Sequence, residues 1–157
     1  MPWLPENIWR RRLTIEYEQM RASNFSFTAS EDYTRYNVFL KGRGFVRENN
    51  VVVPRDSHEV MITLKREYPY AGGLDLVWRT PIFHPNIRES DGRVCIQLVN
   101  EWAETQTVLH VVQALERLLR EPNPASPLNL DAAEYYVRNG LVEAPKAKPG
   151  RPRLVFE

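Results

Sequence analysis

An α+β domain is the fold class the sequence predicts: an N-terminal helix, a four-stranded antiparallel meander, a site-bearing loop, a central helix and a shortened C-terminal helical part. Three observations predict it. An apolar stripe with helical spacing opens the chain; four short β-type segments follow, separated by turn-rich connections; and a second, stronger helical stripe comes only after a long loop. Strands followed by helices, with connections too short for crossover helices, favour antiparallel pairing.

The first helix runs from Pro5 to Met20. Trp9, Leu13, Tyr17 and Met20 recur at steps of four, four and three, Arg10, Arg11 and Arg12 lie largely off that stripe, and Pro5 stands near the start. The segments "NFSFTAS", "RYNVFLKG", "HEVMITLKREYP" and "LDLVWRT" read as the four strands. Period-two alternation lets Val60, Ile62 and Leu64 share one face of their strand, and likewise Leu74, Leu76 and Trp78 of theirs. "SED", "GRGFVRENN" and "YAGG" read as short connections, with "VVVP" around Val52 an extra strand or an extended loop. Val108, Val111, Val112, Leu115, Leu118 and Leu119 then share one face of a central helix, capped by Thr105 or Thr107 and stopped by Pro122. A shorter helix, "DAAEYYVRN", ends at Gly140. Residues 1–143 form one expected domain, and residues 144–157 a proline-rich basic tail.

With 157 residues, 43% of them hydrophobic, a single core can be filled without staples. The 21 basic and 20 acidic residues nearly balance, so no overall field points to nucleic acid or a membrane surface. The opening "MPWLPENIWRRRL" lacks an apolar run long enough for a signal peptide, and no later stretch approaches a membrane span. A cytoplasmic protein is expected. The lone cysteine, Cys95, excludes an intramolecular disulfide, and one cysteine with three scattered histidines lacks the paired spacing of a zinc site.

Cys95 sits beyond "TPIFHPNI", where Pro81 and Pro85 remove backbone donors and bias their predecessors away from helix, so that segment is expected to be extended and stiff. Asp91 and Gly92 supply a turn, after which "RVCIQLV" reads as a short extended segment. A solitary cysteine is more often a small packed hydrophobe than a nucleophile. The neighbouring chemistry argues the other way, since the Asn86 amide is a donor suited to an oxyanion formed on acyl exchange at Cys95. His84 precedes a proline and is suited to hydrogen bonding within the loop; it is not assigned as the general base.

The segments "YPY", "FHPNI", "DGRVCIQLVNEW" and "LLREPNPASPLN", in this order and at these separations, resemble the ubiquitin-conjugating enzymes over roughly residues 5 to 140. The resemblance implies a carrier enzyme that needs neither a metal nor an organic cofactor. Cys95 matches the acceptor of a ubiquitin-like modifier, taken as a thioester from an activating enzyme and passed to a substrate lysine, usually with a RING-type ligase. Asn86 matches the motif asparagine, credited with oxyanion stabilisation or with ordering the loop. Ser126 matches the gate position beside the cysteine, and Phe83 a position where an aromatic is common; together with Asn86 they would desolvate an incoming lysine. Arg10, Arg11 and Arg12 match the basic helix that meets the activating enzyme. Tyr70 takes the aromatic position of the ligase-facing loop, although "YPYAGG" and "AETQT" depart from the usual ligase-binding sequences, as in a divergent or prokaryotic member. The principal alternative is a non-catalytic ubiquitin-binding variant of the same fold, which characteristically lacks the cysteine. A cysteine hydrolase using His84, His58 or His110 as base is the second.

Overall fold

The computed structural model describes residues 3–95, 98–101, 107–123 and 127–142. Helix α1 spans Glu6–Ala22, and the Pro5 carbonyl accepts the Ile8 and Trp9 N–H groups at 3.0 and 2.9 Å to begin it. Trp9, Leu13 and Met20 are buried as the stripe requires. The fourth inward residue is Glu16, while Tyr17 lies at the margin, stacked on Tyr33 with ring centroids 4.0 Å apart. Burying a carboxylate is costly unless donors surround it. Here the Arg12 guanidinium lies 2.6 Å from Oε2, and Oε1 accepts the Tyr68 hydroxyl at 2.6 Å and the Val108 N–H at 2.8 Å. Glu16 thereby fastens α1 to the turn after the third strand and to the start of the central helix.

The strands are β1 (Ser26–Ala29), β2 (Arg35–Glu48), β3 (Val51–Leu64) and β4 (Leu74–Trp78), in a sheet of order β1-β2-β3-β4 with every pair antiparallel. The meander is as expected, but its central hairpin is much longer. "GRGFVRENN", read as a connection, is mostly strand: β2 continues through an irregularity between Lys41 and Gly44, and "VVVP" opens β3. The reversal is confined to Asn49 and Asn50, whose φ values of 50° and 66° suit the tight turn matched to strand twist.

Helix α2 (Val108–Arg120) covers the inner face of the sheet. All six residues of its expected stripe are buried, as are Val60, Ile62, Leu64, Leu74, Leu76 and Trp78 opposite, in one continuous core. Each such side chain contributes about 1.5–3 kcal/mol over an exposed one, so this stripe outweighs local propensity. Thr107 caps α2, its hydroxyl accepting the His110 N–H at 3.4 Å; the other candidate, Thr105, lies outside the described residues. Helix α3 (Leu130–Arg138) begins with the Asn129 side chain accepting the Ala132 N–H at 3.1 Å and ends before Gly140, whose φ is 69°. The tail expected over 144–157 lies outside the described residues. Among the described residues, no helix is long and apolar enough to cross a membrane.

Candidate active site

The loop after β4 is built around a histidine with no spare nitrogen. His84 is fully buried; its Nδ1 accepts the Asn86 N–H at 3.0 Å and its Nε2 lies 2.7 Å from the Leu118 carbonyl. A carbonyl can only accept, so Nε2 carries the proton and Nδ1 the lone pair. Burial pushes the imidazole pKa down to about 4 despite the Leu118 bond. His84 is thus a neutral brace between loop and α2, with neither a vacant lone pair nor a proton to release near neutral pH.

This brace bends the backbone. "TPIFHPNI" is not extended throughout: His84 and Ile87 face each other across a turn closed by Pro85 and Asn86, because the imidazole takes the Asn86 N–H that an extended chain would turn outward. Asn86 is also fully buried. Its side chain binds the Asn123 backbone at both ends, Oδ1 accepting the N–H and Nδ2 donating to the carbonyl, each at 2.8 Å. Pro85 adds a second tie, its carbonyl accepting the Leu128 and Asn129 N–H groups at 2.7 and 3.0 Å. Ser126 lies outside the described residues, but the chain on both sides of it is anchored to this turn.

From Asn86 the chain makes a small hairpin back to the cysteine. Ile87 pairs with Val94, and the Arg88 N–H donates to the Arg93 carbonyl at 2.9 Å. Its tip needs glycine at Gly92, where φ is 77° and a Cβ would fall 1.9 Å from the Trp78 carbonyl oxygen. Asp91 buttresses the tip through Arg88, whose Nε donates at 2.9 Å, and this bond holds the carboxyl down at a pKa of about 2. The Cys95 N–H donates to the Asn86 carbonyl at 3.0 Å and its carbonyl accepts the Val99 N–H at 3.1 Å. Cys95 therefore stands between a hairpin strand and a helical turn. "RVCIQLV" is not extended to its end, since residues 98–101 are helical and the buried Val99 packs into the core. Cys95 is a free cysteine, 8% exposed as a residue.

The structure brings Cys95, Asn86 and His84 together through consecutive hydrogen bonds. Phe83 is held nearby but inward, its ring edge-on to Tyr135 with centroids 5.9 Å apart and covered by the Arg47 guanidinium at 4.7 Å. Arg10, Arg11, Arg12 and Tyr70 belong to a different place, where α1 meets the turn after β3. There Arg12 lies over the Tyr68 ring at 5.4 Å and against Glu16, Arg10 and Arg11 are exposed, and Tyr70 is 38% exposed. Sequence reasoning missed Asn123 and Arg47. Asn123 acts through its backbone, which leaves no side-chain signal, and Arg47 lay in a segment read as a turn.

The model of the ubiquitin-conjugating enzymes matches residues 12–147. The ubiquitin-conjugating enzyme E2 of African swine fever virus (strain Badajoz 1971 Vero-adapted) is 30% identical over 139 residues, covering 80% of this chain and 61% of the viral protein. Ubiquitin conjugating enzyme E2 B of Dictyostelium discoideum is 32% identical over 75 residues, 48% of this chain and 50% of that one. The chain thus spans 50% to 61% of these two curated relatives. A solved E2 domain of a Toxoplasma gondii ubiquitin conjugating enzyme superposes with a TM-score of 0.65 at 21% identity, covering 84% of this chain and 88% of that one, a likeness of fold. The meander with its covering helix, the turn of His84, Pro85 and Asn86 ahead of a lone cysteine, and a family match over most of the chain agree: it belongs to the ubiquitin-conjugating enzyme family.

Proposed function

We propose that the protein is a carrier of a ubiquitin-like modifier, with Cys95 as the acceptor. The carrying observation is the backbone bond from Cys95 to Asn86, whose side chain is locked to Asn123; it fixes the Cys95 backbone against a rigid turn. The Cys95 thiol gives its proton to solvent and, as thiolate, attacks the carbonyl of the modifier's C-terminal glycine thioester on the activating enzyme. A new C–S bond forms, the old one breaks, and the activating enzyme's thiolate leaves. A lysine amine then attacks the same carbonyl, the C–N bond forms, Cys95 departs as thiolate and the nitrogen gives its proton to solvent. Both carbonyls are already activated, so positioning and oxyanion stabilisation carry the catalysis.

Of the two roles the motif asparagine is credited with, Asn86 takes the ordering of the loop in this scheme, its buried side chain being held at both ends by Asn123, with Ser126 as the gate beside the cysteine and Phe83 supporting the turn from beneath. The exposed Arg10 and Arg11 meet the activating enzyme, and Tyr70 belongs to the surface offered to a RING-type ligase. The hydrolase alternative is disfavoured at its nearest base, because both nitrogens of His84 are engaged. The purified chain, a ubiquitin-like modifier, its activating enzyme and ATP should give a thiol-sensitive adduct on a non-reducing gel, absent from Cys95→Ala. No adduct beside a working upstream enzyme would favour the non-catalytic binding variant.

A further inference from the structure

Arg47, near the end of β2, joins three parts of the molecule. One guanidinium nitrogen lies 2.6 Å from Glu89 Oε1, at the tip of the cysteine-bearing hairpin, and the other 2.9 Å from Asp131 Oδ2, in the first turn of α3. The plane of the group covers the Phe83 ring, one residue before His84. A groove of about 560 Å³ lies between the two tied walls, lined by Arg88, Glu89, Leu128, Asn129, Leu130 and Asp131. The base of one wall is fixed by Asn86 and of the other by Pro85, through backbone bonds. At the tip of the hairpin, the Glu89 carboxylate is fixed by the Arg47 guanidinium.

We propose that Arg47 is a positioning residue for Cys95. By holding Glu89 and Asp131 on one planar fork, it sets the separation of the hairpin from α3, and with it the placement and accessibility of the thiol. A guanidinium suits this role because it binds two carboxylates in fixed directions while stacking on a ring, which an ammonium cannot do. The long β2–β3 hairpin brings it there, since pairing resumes at Gly44 and carries Arg47 to the site. The consequence for transfer rests on the carrier reading; the effect on the thiol does not.

Two readouts separate these. Alkylation of Cys95 by iodoacetamide should be about fivefold faster in Arg47→Met, which keeps the aliphatic cover on Phe83, and only partly accelerated in Arg47→Lys. Salt of about 1 M should bring the parent toward the Met variant, because the clamp is screened there. Glu89→Gln should add little once Arg47 is replaced. With charged protein, single-turnover discharge to free lysine should also be about fivefold slower in Arg47→Met at equal thioester loading. Alkylation rates within twofold of the parent, whatever the melting temperature does, would overturn the proposal. Failure of the parent to accept a modifier would overturn the carrier reading instead, with alkylation still deciding the role of Arg47.

Discussion

At the scale of single residues, burial decides chemistry. His84 has its pKa depressed from 6.5 to about 4 by desolvation, so the unfolded chain binds a proton in that interval that the folded chain refuses. Its contribution to stability is complete above about pH 6.5 and is lost as pH falls toward 4, at up to about 1.4 kcal/mol per pH unit. His58 is shifted the same way by burial, so a histidine variant is needed to isolate the effect. Urea unfolding at pH 7.5 and 5.5 should show the parent losing on the order of 1–2 kcal/mol more than His84→Gln; equal losses would mean His84 is not the buried neutral group. Asn86→Ala should leave thioester loading largely intact and slow discharge to lysine on the order of a hundredfold, because the turn that positions Cys95 loses its tie to Asn123. Equal discharge rates for variant and parent would remove Asn86 from the transfer step. Both residues were legible in the sequence, because the prolines beside them fix the turn. Asn123 was not, since any non-proline residue offers the same backbone N–H and carbonyl.

Among the elements, the long hairpin is the departure from expectation. Its charged and glycine-containing stretch resembles a loop in composition, yet Val46 and Leu40 are buried and Phe45 stacks edge-on against Tyr135 and Tyr136 of α3. Packing against a helix distant in sequence made the strand. The tip depends on two left-handed residues, which asparagine tolerates and β-branched residues do not. Asn50→Val should therefore lower stability by about 1–2 kcal/mol while Asn50→Gly does not lower it. Urea midpoints that are the same for the Val and Gly variants would show the tip to be unconstrained. Helix α2, by contrast, was legible residue by residue, because its apolar stripe is long, uninterrupted and bounded by a cap and a proline.

For the molecule as a whole, the basic triplet of α1 divides by depth. Arg10 is 59% exposed beside Glu6, whereas Arg12 turns inward to Glu16, which is 2% exposed and also holds Tyr68 and the start of α2. Reversing Arg10 and Arg11 to Glu should weaken loading by the activating enzyme at low salt without moving the melting temperature. Arg12→Glu should cost about 3 kcal/mol or more, because it leaves a buried carboxylate facing a like charge. Unchanged loading in the Arg10, Arg11 double variant would place the activating-enzyme contact elsewhere; an unchanged melting temperature in Arg12→Glu would mean the Glu16 junction carries little of the fold.

By itself the sequence determined the order of the main helices and strands, the inward stripe of the central helix, the inward faces of the third and fourth strands, and the linkage of a lone cysteine to a rigid histidine-proline-asparagine turn. Those properties follow from local periodicity and from the fixed dihedrals of proline. The tertiary structure alone decided that Glu16 is buried, that His84 is a neutral brace, that Asn86 grips Asn123 and that Arg47 reaches two carboxylates. Each depends on the partner or the desolvation that a side chain meets across many residues of chain, and neither is written in its neighbours.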